Sequence, residues 1–122
     1  MASMSEGDAT CLAPICFMIM PYGTKQSQKP EGVVGLDMID FDRLWTAAFE
    51  PAIRYLGYDP VRADQDLGAA IIKEMIERLA ISDLVIGDVT TPNGNVYYEI
   101  GVRHTAKPTD CVMVAADWTR PL

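Results

Sequence analysis

Hydrophobic and polar positions change period several times along the chain, and each change marks an element. "PICFMIM", residues 14–20, is an unbroken apolar run between Pro14 and a "PYG" turn. A strand buried on both faces reads this way. From Asp40 the period becomes helical. Phe41, Leu44, Trp45, Ala48, Phe49, Ala52 and Leu56 recur at spacings of three and four and define one apolar face. Asp40 fits an N-cap and Gly57 a C′ residue, while Pro51 inside the pattern predicts a kink. "YDPVRAD" gives a short strand from Asp59 to Ala63. "LGAAIIKEMIERLAIS" is a second amphipathic helix, with Ile72, Met75, Ile76 and Leu79 as its buried stripe. Its wet face carries Lys73–Glu77 and Glu74–Arg78 at i,i+4 spacing. "DLVIGDV", residues 83–89, is a third strand, Asn95 to Ala106 a third helix, and "CVMVAAD", residues 111–117, a fourth strand.

Strands alternating with helices in this way predict an α/β fold. The expectation is a flavodoxin-like three-layer α/β/α domain around a parallel sheet of order 2-1-3-4. No fifth strand follows "DWTRPL", so the chain is expected to be truncated before one, as part of a longer protein. Residues 1–12 are expected to form a disordered tail and 13–122 a single domain. The long segment 22–39, rich in Gly, Lys and Gln, reads as a lid carrying Lys25 and Lys29.

Composition then narrows the function. A chain of 122 residues with 49% apolar content can build a core without metal or disulfide. A net charge of −7 repels a phosphate backbone, so nucleic acid is not an expected partner. The N-terminus lacks a basic n-region, and "CLAPICFMIM" is too short to span a bilayer. A cytoplasmic protein with no membrane partner is therefore expected. Cys11, Cys16 and Cys111 show no zinc spacing, and the latter two sit in apolar runs as buried thiols would. No metal site is expected.

Ligands of open parallel sheets bind beyond the carboxyl ends of the strands, at the switch point. Those ends carry Tyr22 and Gly23, then Arg62 and Asp64, then Asp88, Thr90 and Asn93, and last Asp117. Turn chemistry alone would place many such residues there, and "PNGN" reads as a turn and a cap. The single His104 has no nucleophile placed beside it, and neither GxGxxG nor a Walker A loop occurs. Glu99 lies near the start of the third helix, where the helix dipole favours an ionised carboxylate. Such a Glu can act as nucleophile, stabilise an oxocarbenium ion, or simply cap its own helix. Gly101 costs ~1 kcal/mol inside a helix relative to Ala. It is expected to allow a close approach to the sheet that brings Glu99 to the rim.

Three segments carry a resemblance: "CFMIMPYG", "FDRLWTAAFEPAIRYLGYDPVRAD" and "SDLVIGDVTTPNGNVYYEIGVRH". Together they resemble the superfamily joining nucleoside 2-deoxyribosyltransferases and TIR domains, above all TIR-like domains of bacterial signalling and defence proteins. A similar segment occurs near the regulatory region of apoptosis-signal-regulating kinases. The resemblance covers residues 14–116. It implies binding of a nucleoside or nucleotide, with N-glycosidic bond cleavage or transfer by an NAD nucleosidase or a deoxyribosyltransferase. NAD enters as a substrate, and no resident cofactor is implied. The Glu-x-Gly pattern makes Glu99 the nucleophile or charge stabiliser. By position, Asp88, Asp64, Arg62 and Asn95 would hold ribose or phosphate, Gly23 and Asn93 would touch substrate, and Tyr22 or Tyr98 would stack on the base. Tyr97 and Tyr98 stand where TIR domains carry a Ser or Trp-Cys pattern. The alternative is a non-enzymatic nucleotide-sensing or scaffolding module. Homo-oligomers are expected on either reading, from an open sheet edge and from the habit of these families. A flavin carrier is disfavoured, because its phosphate loop would not begin "PYGTKQSQK".

Overall fold

Phe17 and Ile19 of the first strand, β1 (Ile15–Ile19), turn to one side of the sheet, and Met18 and the following Met20 turn to the other. All four are buried, which is why the run reads as continuously apolar. The structure, a computed structural model, describes residues 13–62 and 69–118, excepting the side chains of 69–74. β1 pairs in parallel with β4 (Asp59–Arg62) on one side and β5 (Leu84–Asp88) on the other. β6 (Cys111–Val114) lies outside β5, also parallel. The sheet order is β4-β1-β5-β6. Counting only these sheet strands, that is the expected 2-1-3-4 order.

The remaining strands, β2 (Thr24–Gln26) and β3 (Met38–Asp40), form a separate antiparallel hairpin inside the segment expected to be a lid. Helix α1 runs through Phe41–Leu44, a π-helical turn Trp45–Phe49, and Glu50–Tyr55. Helices α2 (Ala69–Ile81) and α3 (Gly94–Ala106) follow β4 and β5. Met75, Leu79, Val96 and Ile100 of α2 and α3 pack on Phe17, Ile19 and Val85. On the opposite face, Phe41 of α1 packs on Met18 and Met20, flanked by Leu44, Trp45 and Phe49. The result is a three-layer α/β/α domain.

Asp40 caps α1 as expected, accepting from the Arg43 amide at 3.1 Å. Pro51 does not simply kink the helix. It has no N–H to donate one turn back, and in a regular α-helix its ring would crowd the carbonyl four residues earlier. The π turn widens the helix just before it, and Glu50 N–H donates to the Trp45 carbonyl five residues back. That turn takes in one extra residue and shifts the apolar face by one. Ile53 is consequently buried, while Ala48, Ala52 and Leu56, expected on the buried face, are exposed. Gly57 ends the helix at φ +91°. Its N–H donates to Arg54 O at 2.9 Å and that of Tyr58 to Ile53 O at 3.2 Å, the paired bonds of a Schellman motif.

The close approach of α3 to the sheet occurs at Gly87, which corrects the expectation for Gly101. A Cβ on Gly87 would lie 2.8 Å from Ile100 Cδ1, whereas one on Gly101 would meet nothing within 4 Å. The expected tail 1–12 with Cys11, the strand end at Ala63, Ile72 in the α2 stripe and the two ion pairs of α2 lie outside what is described. Cys16 is a buried free thiol and Cys111 is half-buried. Among the described residues no helix is long and apolar enough to cross a membrane.

Candidate functional site

The tips of β1 and β4 bring Tyr22, Gly23 and Arg62 together. The Arg62 guanidinium lies 3.9 Å from the centre of the Tyr22 ring. Its Nη2 donates to Pro21 O at 2.7 Å and pairs with Asp42 Oδ1 at 3.0 Å. Gly23 N–H donates to the same oxygen at 3.1 Å. The Gly23 amide, followed by Arg62, holds the Asp42 carboxyl below the usual carboxylate range. This network ties α1 and β4 to the end of β1. It engages Gly23 and Arg62 in the protein's own bonds and places the guanidinium over the Tyr22 ring. Asp42, in the first turn of α1, was not an expected site residue, because nothing in the local pattern signals a partner at Arg62.

At the β5 tip, Asp88 is buried, and its Oδ1 accepts from Thr90 N–H at 2.9 Å. Thr90 Oγ1 in turn accepts from Ala116 N–H at 3.0 Å, fixing the chain beyond β6. Alternation along β5 sends Val85 and Gly87 toward α3 and sends Ile86 and Asp88 toward α1. There Asp88 lines a groove of about 450 Å³ with Leu36, Phe41, Phe49, Val114 and Trp118 among its walls. The groove has no counterpart in the sequence reading. Its walls come from the 22–39 segment, α1, the β5 tip and the end of β6. Trp118 closes one side, with its ring against Gly35 and its Nε1 donating to Ser27 O at 3.4 Å.

Glu99 lies in the second turn of α3, on the face that buries Val96 and Arg103. It is 7% exposed, and burial pushes its carboxyl up to about 7. Its Oε2 is buried without a hydrogen-bond partner. Arg103, at i+4, is where an ion pair would ordinarily form. Instead its Nη1 donates to Leu79 O and Ser82 O, each at 2.7 Å, clamping α3 to the end of α2. Arg103 Nε is also buried without a partner. One face of α3 thus carries two orphaned polar atoms a turn apart, a kind of arrangement that calls for an explanation.

Glu99 does not cap its own helix. Asn93 does, accepting from Asn95 N–H at 3.0 Å and Val96 N–H at 3.1 Å. Asn95 is exposed, one turn nearer the strand tips on the Glu99 side, and Tyr98 is exposed as well. Among the described residues no hydrogen bond or ion pair joins Glu99 to Asp88. Asp64 lies outside the described residues. No described His, Cys, Asp or Glu residues form a group that could hold a metal ion. Compared with known proteins, the chain matches no family model and no curated sequence.

Proposed function

We propose that this domain binds a nucleoside or nucleotide and cleaves or transfers its N-glycosidic bond, with Glu99 as the reacting carboxylate. One observation carries the reading: Glu99 is a buried carboxylate with an unpartnered Oε2, and its pKa is raised to about 7. Breaking an N-glycosidic bond leaves positive charge at the anomeric carbon while the departing base keeps the bonding pair. A nucleoside base also takes up a proton, whereas the nicotinamide of NAD leaves neutral without one. Water or an incoming base then bonds to the anomeric carbon. An ionised Glu99 would bond to that carbon or stabilise its charge. A pKa near neutrality populates both protonation states at working pH. Asn95, on the same side of α3, would hydrogen-bond a ribose hydroxyl, and Tyr98 would offer a ring face to the base. Base release from NAD and from purine and pyrimidine nucleosides, followed by chromatography, tests this. Glu99→Gln should lower release by at least about a hundredfold. Equal background release from wild type and variant would reject the reading.

A second reading, a nucleotide-sensing or scaffolding module, is favoured by the commitment of Gly23, Arg62 and Asn93 to internal bonds. The outer strand β6, with Val112 and Met113 exposed, is where a second copy would add. Nucleotide binding by calorimetry, with assembly by light scattering and no turnover, would favour this reading.

A further inference from the structure

The groove on the α1 face holds a carboxylate in apolar surroundings. Asp88 is 3% exposed, and among the described residues the only hydrogen bond to its carboxylate is the one from Thr90 N–H to Oδ1. Its walls include three aromatic side chains, Phe41, Phe49 and Trp118, together with Leu36 and Val114. No Lys, Arg or His is among the described lining residues. Burying a carboxylate in such a place is unfavourable unless a cation or donors complete it. Aromatic faces attract cations in their turn. The volume of about 450 Å³ lies within the range of small-molecule sites.

From these observations we infer that the groove binds a small organic cation, a protonated amine carried on a flat apolar body, with Asp88 as its counter-ion. The ammonium group donates to the free side of the Asp88 carboxylate. The apolar body lies among the aromatic side chains and Leu36. The net charge of −7 favours encounter with a cation over an anion. This site is independent of the reaction proposed at Glu99, which lies on the helix packed against the other face of the sheet.

Two probes of nearly equal shape separate charge from shape: phenethylamine, protonated at pH 7, and neutral 2-phenylethanol. Each is titrated into the protein while the backbone amide signals of Leu36, Thr90 and Ala116 are followed by NMR. The amine should shift these signals and bind at least about tenfold more tightly than the alcohol, with a preference that shrinks in high salt. Asp88→Asn keeps an Oδ1 acceptor for Thr90 N–H and should bring the two affinities together. Equal affinities in wild type, absence of shifts at these amides, or an undiminished preference in Asp88→Asn would each overturn the inference. Should Asp88→Asn fail to fold, the amine–alcohol comparison in wild type decides alone.

Discussion

Glu99 and Asp42 are carboxylates that their surroundings push in opposite directions. Asp42 receives the Gly23 amide and the Arg62 guanidinium and is held ionised. Its contribution is therefore present above the ordinary carboxylate range and is lost as pH falls. Glu99 has no such partner, and burial favours its neutral form. Its folded pKa of about 7 exceeds the ordinary 4.5, so the native state binds the extra proton between those values. Stability then falls as pH rises through that window. The full loss is about 3 kcal/mol, since each tenfold change in proton affinity is worth ~1.4 kcal/mol. Glu99→Gln mimics the neutral form. Urea denaturation should find it more stable than wild type by up to about 3 kcal/mol at pH 8 and nearly equal at pH 4.5. Equal stabilities at both pH values would mean that Glu99 is solvated. A variant that is more stable yet inactive is the expected mark of a residue kept for chemistry at a cost in stability.

At the scale of elements, two glycines near α3 make opposite predictions. Gly87→Ala drives a Cβ to 2.8 Å from Ile100 Cδ1 and 3.0 Å from Cγ1. It should destabilise the domain by about 1–3 kcal/mol, the usual range for overpacking. Ile100→Val removes the nearer atom, so the double mutant should recover part of that loss in a thermal or urea double-mutant cycle. Gly101 sits on the outer face of α3 with open space around it, and Gly101→Ala should raise stability by up to about 1 kcal/mol. Loss of stability in Gly101→Ala would restore the packing role expected from the sequence. The strands and helices were legible because apolar periodicity directly reflects which side of an element meets the core. The π turn was not, since an added residue changes which later positions face inward without altering composition. The β2–β3 hairpin was also hidden. Its residues lack alternation, and its order comes from contacts distant in sequence: Ser27 N–H to Asp37 O at 2.8 Å, and Trp118 Nε1 to Ser27 O. Glu99 was visible from its place at a helix start after a strand tip. The aromatic groove was not, because its walls come from segments with no shared local pattern.

The whole domain is asymmetric about its sheet. Among the described residues, helices α2 and α3 cover one face and helix α1 the other. A helix is about 10 Å wide, and strands spaced ~4.8 Å apart put the outer pair of a four-stranded sheet ~14 Å apart. One helix therefore leaves part of its face open. The segment 22–39 and Trp118 supply the missing cover above β5 and β6, and the groove is the space left beneath them. Within that cover, Ser27 Oγ donates to Leu36 O at 2.6 Å and Lys29 pairs with Asp37 at 3.4 Å. Few apolar contacts hold the segment: Val34 is 95% exposed and Leu36 is 70% exposed. Segments of this kind open at low free energy, independently of the core. Trp118→Ala removes the ring packed against Gly35 and the bond to Ser27 O. Amide hydrogen exchange should then quicken at Ser27 and Val33, whose amides bond within the cover. Met18 and Ile86, in the central strands, should keep their protection. Uniformly faster exchange across both sets would instead mean that Trp118 supports the whole core, and unchanged exchange at Ser27 would mean that the hairpin holds its place without the indole.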